Sequence, residues 1–173
     1  MEKKSDVLFE VDSENYPRPQ FVRSRYQKLN GEWDFAFDDE NRGLAENWQA
    51  STSLDKKIIV PFPYQSKASG LDDKTIHETV WYKKNFTVPE DWKETSSQDL
   101  ILHFGAVDYE CAVYINGQEA CTNEGGHVPF SLNITPYLNE DGRENQITVR
   151  IVDKMDADQP RGKQSTNGQS HSI

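Results

Sequence analysis

Few residues in this sequence are spaced for chemistry. Its four histidines, His77, His103, His127 and His171, stand far apart, so no pair has the short spacing of a metal site. His103 alternates with Leu102 and Phe104, which puts it on the polar side of a strand. All four are expected at ordinary surface positions. No G-x-S-x-G or H-E-x-x-H is present, so no nucleophile elbow or zinc helix is written here. Carboxylates are abundant, at 29 Asp plus Glu. A pair doing acid–base work must be held at a set separation, and no pair is singled out by spacing. Most fall in turns, as on a solvated surface. "DKMDADQ" brings Asp153, Asp156 and Asp158 together as oxygen donors for a hard cation, but lacks the glycine and distal glutamate of an EF-hand loop. The chain is therefore expected to carry no catalytic residue and no cofactor, with a structural or site cation left open.

Two other stretches invite a binding role. In "EGGHVPF", the pair Gly125-Gly126 calls for a bulge, a tight bend or a close backbone approach. Trp81, Tyr82, Trp92 and Tyr64 could stack on apolar ring faces of a ligand, but in a sandwich such rings more often fill the core, and that is the expectation.

The elements that must hold these groups read as strands. Trp33, Phe35 and Phe37 share one face of "EWDFAFD", with Asp34 and Ala36 on the other. Period-two runs recur with Val80, Tyr82, Phe86 and Val88 (interrupted by Lys84), with Leu100, Leu102 and Phe104, and with Tyr109, Cys111, Val113 and Ile115. They continue with Phe130, Leu132 and Ile134, and with Ile147, Val149 and Ile151; "KKIIV" adds a short strand stopped by Pro61. Seven or eight short strands between turns predict an all-β, jelly-roll β-sandwich whose core is these alternating faces. Helix is confined to a turn or two in "NRGLAENWQA" and one in "ITPYLNEDG". Asn116-Gly117 marks a two-residue hairpin. Counting outward from it pairs Ala112 with Cys121 and Cys111 with Thr122. The two sulfurs are then expected on opposite faces, with no disulfide.

A chain of 173 residues suits one domain with a real core. Its net charge of −10 argues against nucleic acid or an anionic membrane as partner. No apolar run approaches the roughly 18 residues of a membrane span. The N-terminus lacks the apolar centre of a signal peptide, so a cytoplasmic protein is expected if Met1 is the native start.

Taken in order, "LNGEWDFAFD", "VPFPYQS", "VWYKKNFTVP", "LHFGAVDYECAVYINGQ", "GGHVPFSLNIT" and "PRGKQ" resemble the N-terminal sugar-binding domain of family 2 glycoside hydrolases. That family includes β-galactosidases, β-glucuronidases and β-mannosidases. The resemblance implies a galactose-binding-domain-like jelly roll. It divides the chain into an extended arm (1–25), the jelly roll (26–152) and a loop of the same domain (153–173) that stops before the family's last strand. It implies a parent enzyme, β-galactosidase-like by first expectation, in which an immunoglobulin-like domain and a TIM barrel follow and the barrel hydrolyses O-glycosyl bonds. The domain alone is then inactive. The partners implied are a carbohydrate substrate, those further domains and, through an open strand edge, an oligomer. The candidate substrate contacts are Asp153, Arg161, Lys163 and Gln164 in the final loop, and Gln65. Pro63 stands where family members carry a sugar-contacting Asn. Asp108 is expected to fix a turn. A free-standing carbohydrate-binding module and a purely structural interface domain are the alternatives.

Overall fold

The computed structural model describes residues 23, 25–92, 99–140 and 142–154. Among these residues there are eight strands: β1 (Gly31–Phe37), β2 (Lys56–Val60), β3 (Thr79–Phe86), β4 (Ile101–Phe104), β5 (Glu110–Ile115), β6 (Gln118–Glu124), β7 (Phe130–Asn133) and β8 (Asn145–Val152). Six form one sheet in the order β2-β1-β3-β8-β5-β6, and β4 pairs with β7 in a second sheet. Every strand pair is antiparallel. This is the all-β sandwich that the alternation predicts.

The two layers meet in one core. From the six-stranded sheet come Trp33, Phe35, Ile58, Val80, Phe86, Cys111, Val113, Ile115, Ile147 and Val149, all buried. Burying a side chain such as Phe35, fully shielded at 0% exposure, contributes about 1.5–3 kcal/mol. Leu100, Leu102, Phe104, Phe130 and Leu132 close the core from the other layer but are only half-buried. Among the described residues this layer is two strands wide against six, which leaves its inward residues only partly shielded. Among the described residues the helical content is as slight as the sequence implies. It consists of short 3-10 turns, among them Trp48–Ala50 and Thr135–Tyr137.

Two predicted details change. The hairpin at Asn116-Gly117 forms, with Ile115 opposite Gln118, but a bulge follows it. Tyr114 pairs with Glu119 and Val113 with Cys121, so Ala120 is left over and the register beyond shifts by one. Cys111 then faces Asn123 rather than Thr122, and Ala112 faces Thr122 rather than Cys121. Because side chains alternate, this slip turns Cys121 to the same core face as Cys111. Both thiols are nonetheless free. Burial, with the neighbouring Cys121 second, pushes the Cys111 thiol up to about 11, and burial also raises Cys121. The second change is Tyr109. It sits just before β5, 40% exposed, and its hydroxyl donates to Glu124 Oε1 at 3.1 Å instead of joining the core.

The outer face of the large sheet carries a smaller cluster. Ala36, Trp81 and Tyr114 are buried there under Trp48 and Leu54, in the connection after β1. Lys83 also points to this side. It is 1% exposed, and its ammonium donates to Trp48 O, Ser51 O, Ser51 Oγ and Gln146 Oε1 at 2.6–3.2 Å. One cation thereby pins the 48–51 turn onto β3 and β8.

Candidate functional site

The register brings the C-terminal ends of β1, β8 and β6 and the N-terminal ends of β3 and β5 to one end of the large sheet. Phe37 pairs with Val80, Thr79 with Val152, and Val152 and Glu124 both with Glu110. Glu124 ends β6, and the connections at this end carry Asp38, Asp39, Glu40, His77, Glu78, Asp108 and Asp153, against Arg42, Lys74 and Lys154. The end is therefore acidic, with few cations among the described residues.

Asp153 lies here. It follows β8, is exposed, and donates its backbone N–H to Glu78 O at 2.9 Å. That bond extends the β3–β8 ladder by one residue and fixes where the chain leaves the sheet. Gln65 belongs to the connection between β2 and β3 and is half-buried. Its neighbour Tyr64 packs edge-on against Phe37, centroids 5.3 Å apart, and against His77 at 5.6 Å. The fold thus carries the Gln65 loop to the same end of the sheet as Asp153. Inside the loop, the Asp73 N–H donates to Tyr64 O at 3.1 Å, and Lys74 donates to the Gln65 carbonyl and to Asp72 Oδ1. The loop is held by its own polar groups. Arg161, Lys163 and Gln164 lie outside the described residues, as do Asp156 and Asp158.

The turn after β1 is built on Asp38, a carboxylate only 2% exposed. It accepts from Arg42 N at 2.8 Å, Gly43 N at 3.1 Å and Trp81 Nε1 at 2.9 Å. Three N–H donors offset the cost of burying the charge. A Cβ at position 43 would fall 2.7 Å from Trp81 Nε1, so only glycine fits against the indole. This arrangement is structural, and it settles the role of Trp81 as core. Tyr82 likewise packs into the core, edge-on to Phe35 at 5.0 Å, and burial pushes its phenol far up.

The Gly125-Gly126 bend is a close approach, as expected. Gly125 takes φ 119° and donates to Tyr109 O at 2.8 Å. A Cβ at Gly126 would meet Asp108 Oδ1 at 2.2 Å. Asp108 fills the space beside a residue that must lack a side chain, which fixes this turn. Val128, beyond it, is 66% exposed.

His77 is the residue that sequence reasoning passed over. It is no ordinary surface histidine: its side chain is 11% exposed, and its ring stacks on Phe37 with centroids 3.6 Å apart. Nδ1 lies 2.8 Å from Asp39 Oδ1, and Nε2 lies 2.7 Å from Thr75 Oγ1. Asp39 is 38 residues away in the chain, so no local pattern could have shown the contact. His103, by contrast, is exposed as expected, with Nδ1 2.6 Å from Ser131 Oγ. Among the described residues no group of three metal-binding side chains converges.

Comparison with known proteins is specific. Residues 26–160 match glycosyl hydrolases family 2, sugar binding domain. The chain is 30% identical over 140 residues to a beta-glucuronidase of Paenibacillus borealis, covering 79% of this chain and 22% of that protein. It is 30% identical over 144 residues to the beta-glucuronidase of Felis catus, with the same coverage of 79% and 22%. Among solved structures it is similar to a Lactobacillus rhamnosus beta-glucuronidase, with TM-score 0.63 and 30% identity, covering 75% of this chain and 21% of that one. It is also similar to the Ruminococcus gnavus enzyme in complex with D-glucuronic acid, with TM-score 0.62 and 27% identity, covering 78% of this chain and 23% of that one. The chain thus spans about 22% of the length of the curated relatives it matches.

Proposed function

The chain belongs to family 2 of the glycoside hydrolases as an N-terminal sugar-binding domain, and from that premise we propose that it serves a β-glucuronide hydrolase. The observation that carries this reading is the likeness to proteins that are themselves beta-glucuronidases. It replaces the first expectation of a β-galactosidase-like parent. In this reading the jelly roll does no bond-breaking. Catalysis belongs to a barrel further along the parent protein, and this domain offers loops to the substrate side.

Those loops are the segment after β8 and the Gln65 loop. Asp153, Arg161, Lys163, Gln164 and Gln65 are the proposed contacts. A glucuronide differs from a galactoside in carrying a carboxylate, and a guanidinium or ammonium is the group that pairs with one. Arg161 and Lys163 suit that task in this acidic chain. The sheet end described above supports the reading, because the connection bearing Gln65 runs into β3 at the end where β8 exits at Asp153.

The test is made on the full-length parent protein. Nitrophenyl β-glucuronide is expected to be hydrolysed at least about tenfold faster, by kcat/KM, than the β-galactoside, and Arg161→Ala with Lys163→Ala to lose mainly the glucuronide activity. A preference for the galactoside would sink the substrate assignment. The 173-residue chain alone is expected to turn over neither, and enzyme-like rates from it would overturn the assignment of catalysis to another domain.

A further inference from the structure

The connection after β1 covers part of the outer face of the large sheet. Its Trp48 and Leu54 lie on Trp81 and Tyr114, and its Asn41 Oδ1 accepts from an Arg150 Nη at 2.7 Å. Beyond Arg150, over β8, β5 and β6, the described residues leave a groove of about 340 Å³. Its shape follows from register. Ala112 stands between Arg150 and Thr122, and Glu110 between Val152 and Glu124, so these six side chains share one face in two adjacent rows. The hollow exists because Ala112 is small, while its neighbours on that face of β5, Glu110 and Tyr114, are large.

Three charges line this groove, and among the described residues none is paired with another. Glu110 and Glu124 are exposed and directly opposite each other, an arrangement in which like charges repel. Glu124 accepts from the Tyr109 hydroxyl at 3.1 Å, which holds it at the rim. Arg150 gives one N–H to Asn41, and its Nε is buried with no acceptor among the described residues. The mixture selects the ligand. An anion would serve Arg150 but be repelled by two carboxylates. A cation would serve the carboxylates but leave the guanidinium without an acceptor. A hydroxyl suits both, because it donates to a carboxylate and accepts from a guanidinium. Each of those groups also presents two parallel sites, which match neighbouring hydroxyls on one ring. The methyls of Ala112 and Val152 offer an apolar floor to ring C–H groups. The volume is at the small end of ordinary ligand pockets, about 300–1,000 Å³, and suits a single sugar unit.

We propose that this groove is a non-catalytic binding site for a neutral pyranoside, with Glu110 and Glu124 accepting from its hydroxyls and Arg150 donating to them. The site stands on the outer sheet face and does not rest on the glucuronide reading. It would hold whichever sugar the parent cleaves.

The test titrates the isotope-labelled 173-residue chain by NMR with methyl β-D-glucopyranoside. Saturable shifts are expected at the amides of Ala112, Thr122 and Arg150 and at the Arg150 Nε–H, with a dissociation constant of about 1–10 mM. Glu110→Gln and Arg150→Gln are each expected to weaken binding by about fivefold or more. Glu110 is exposed, so its variant keeps the fold if Arg150→Gln does not. Methyl β-D-glucuronide, L-arginine and sodium phosphate, tested alike, are expected to bind at least about fivefold more weakly than the neutral sugar. No saturable shift by about 100 mM sugar overturns the proposal, as do shifts confined to other parts of the chain. Tighter binding of any of the three charged probes at the groove overturns it too. All of these readouts come from this chain alone, so a parent that prefers galactosides would refute the substrate assignment and leave this site standing.

Discussion

Lys83 offers a quantitative test of how this sandwich is fastened. Its ammonium is buried, with four neutral acceptors and, among the described residues, no carboxylate in hydrogen-bond contact, though the charge of Asp34 opposes the effect of burial. Burial lowers it from an ordinary 10.5 to about 8. A displacement of about 2.5 units corresponds to about 3 kcal/mol between the charged and neutral forms. The folded state therefore binds fewer protons than the unfolded chain between about pH 8 and 10.5, so stability rises with pH across that window. From pH 7 to pH 9.5 the gain works out at about 2 kcal/mol. Lys83→Met keeps the bulk, removes the titration, and leaves Ser51 O and Gln146 Oε1 without this donor, a loss of about 1–3 kcal/mol at pH 7. Urea unfolding of both proteins at pH 7 and 9.5 measures the difference. The gap is expected to widen by about 2 kcal/mol at the higher pH. The buried thiols titrate in both proteins and cancel in the comparison. A gap that stays flat would refute the reasoning, showing that four acceptors hold the proton against burial.

Other outcomes follow from the same geometry. Gly126→Ala drives a Cβ into Asp108 and should lose about 1–3 kcal/mol, with part of the loss recovered when Asp108→Ala is added; strict additivity in the four-protein cycle would count against a direct clash. Asp38→Ala strands the N–H groups of Arg42, Gly43 and the Trp81 indole, and should cost about 3 kcal/mol or more by thermal unfolding. Cys111 should react with a thiol reagent at pH 8 only as fast as the chain opens, because burial keeps it protonated; prompt labelling of the native protein would contradict its place in the core.

The sequence by itself determined the layers. Period-two alternation in β1, β3, β5 and β8 names the inward residues, because a strand buried on one face must repeat every second residue whatever lies opposite. It also determined the two positions where only glycine fits a bend, since the requirement for a missing Cβ is local. Ordered motifs from Leu29 to Gln164 were enough to name the family. What they could not carry was register beyond the first turn. The Asn116-Gly117 hairpin was legible, but the extra residue at Ala120 was not, and one slip placed both cysteines on the same face. Tyr109 was misjudged for a related reason: alternation does not say where a strand begins, and the turn before β5 turned its hydroxyl to Glu124. The site was least legible of all. His77 meets Asp39 across 38 residues, and Lys83 meets Gln146 across 63. Such contacts exist only after the sheet has set which connections emerge side by side. Local pattern decides which face each residue takes, and tertiary structure alone decides which distant polar groups meet.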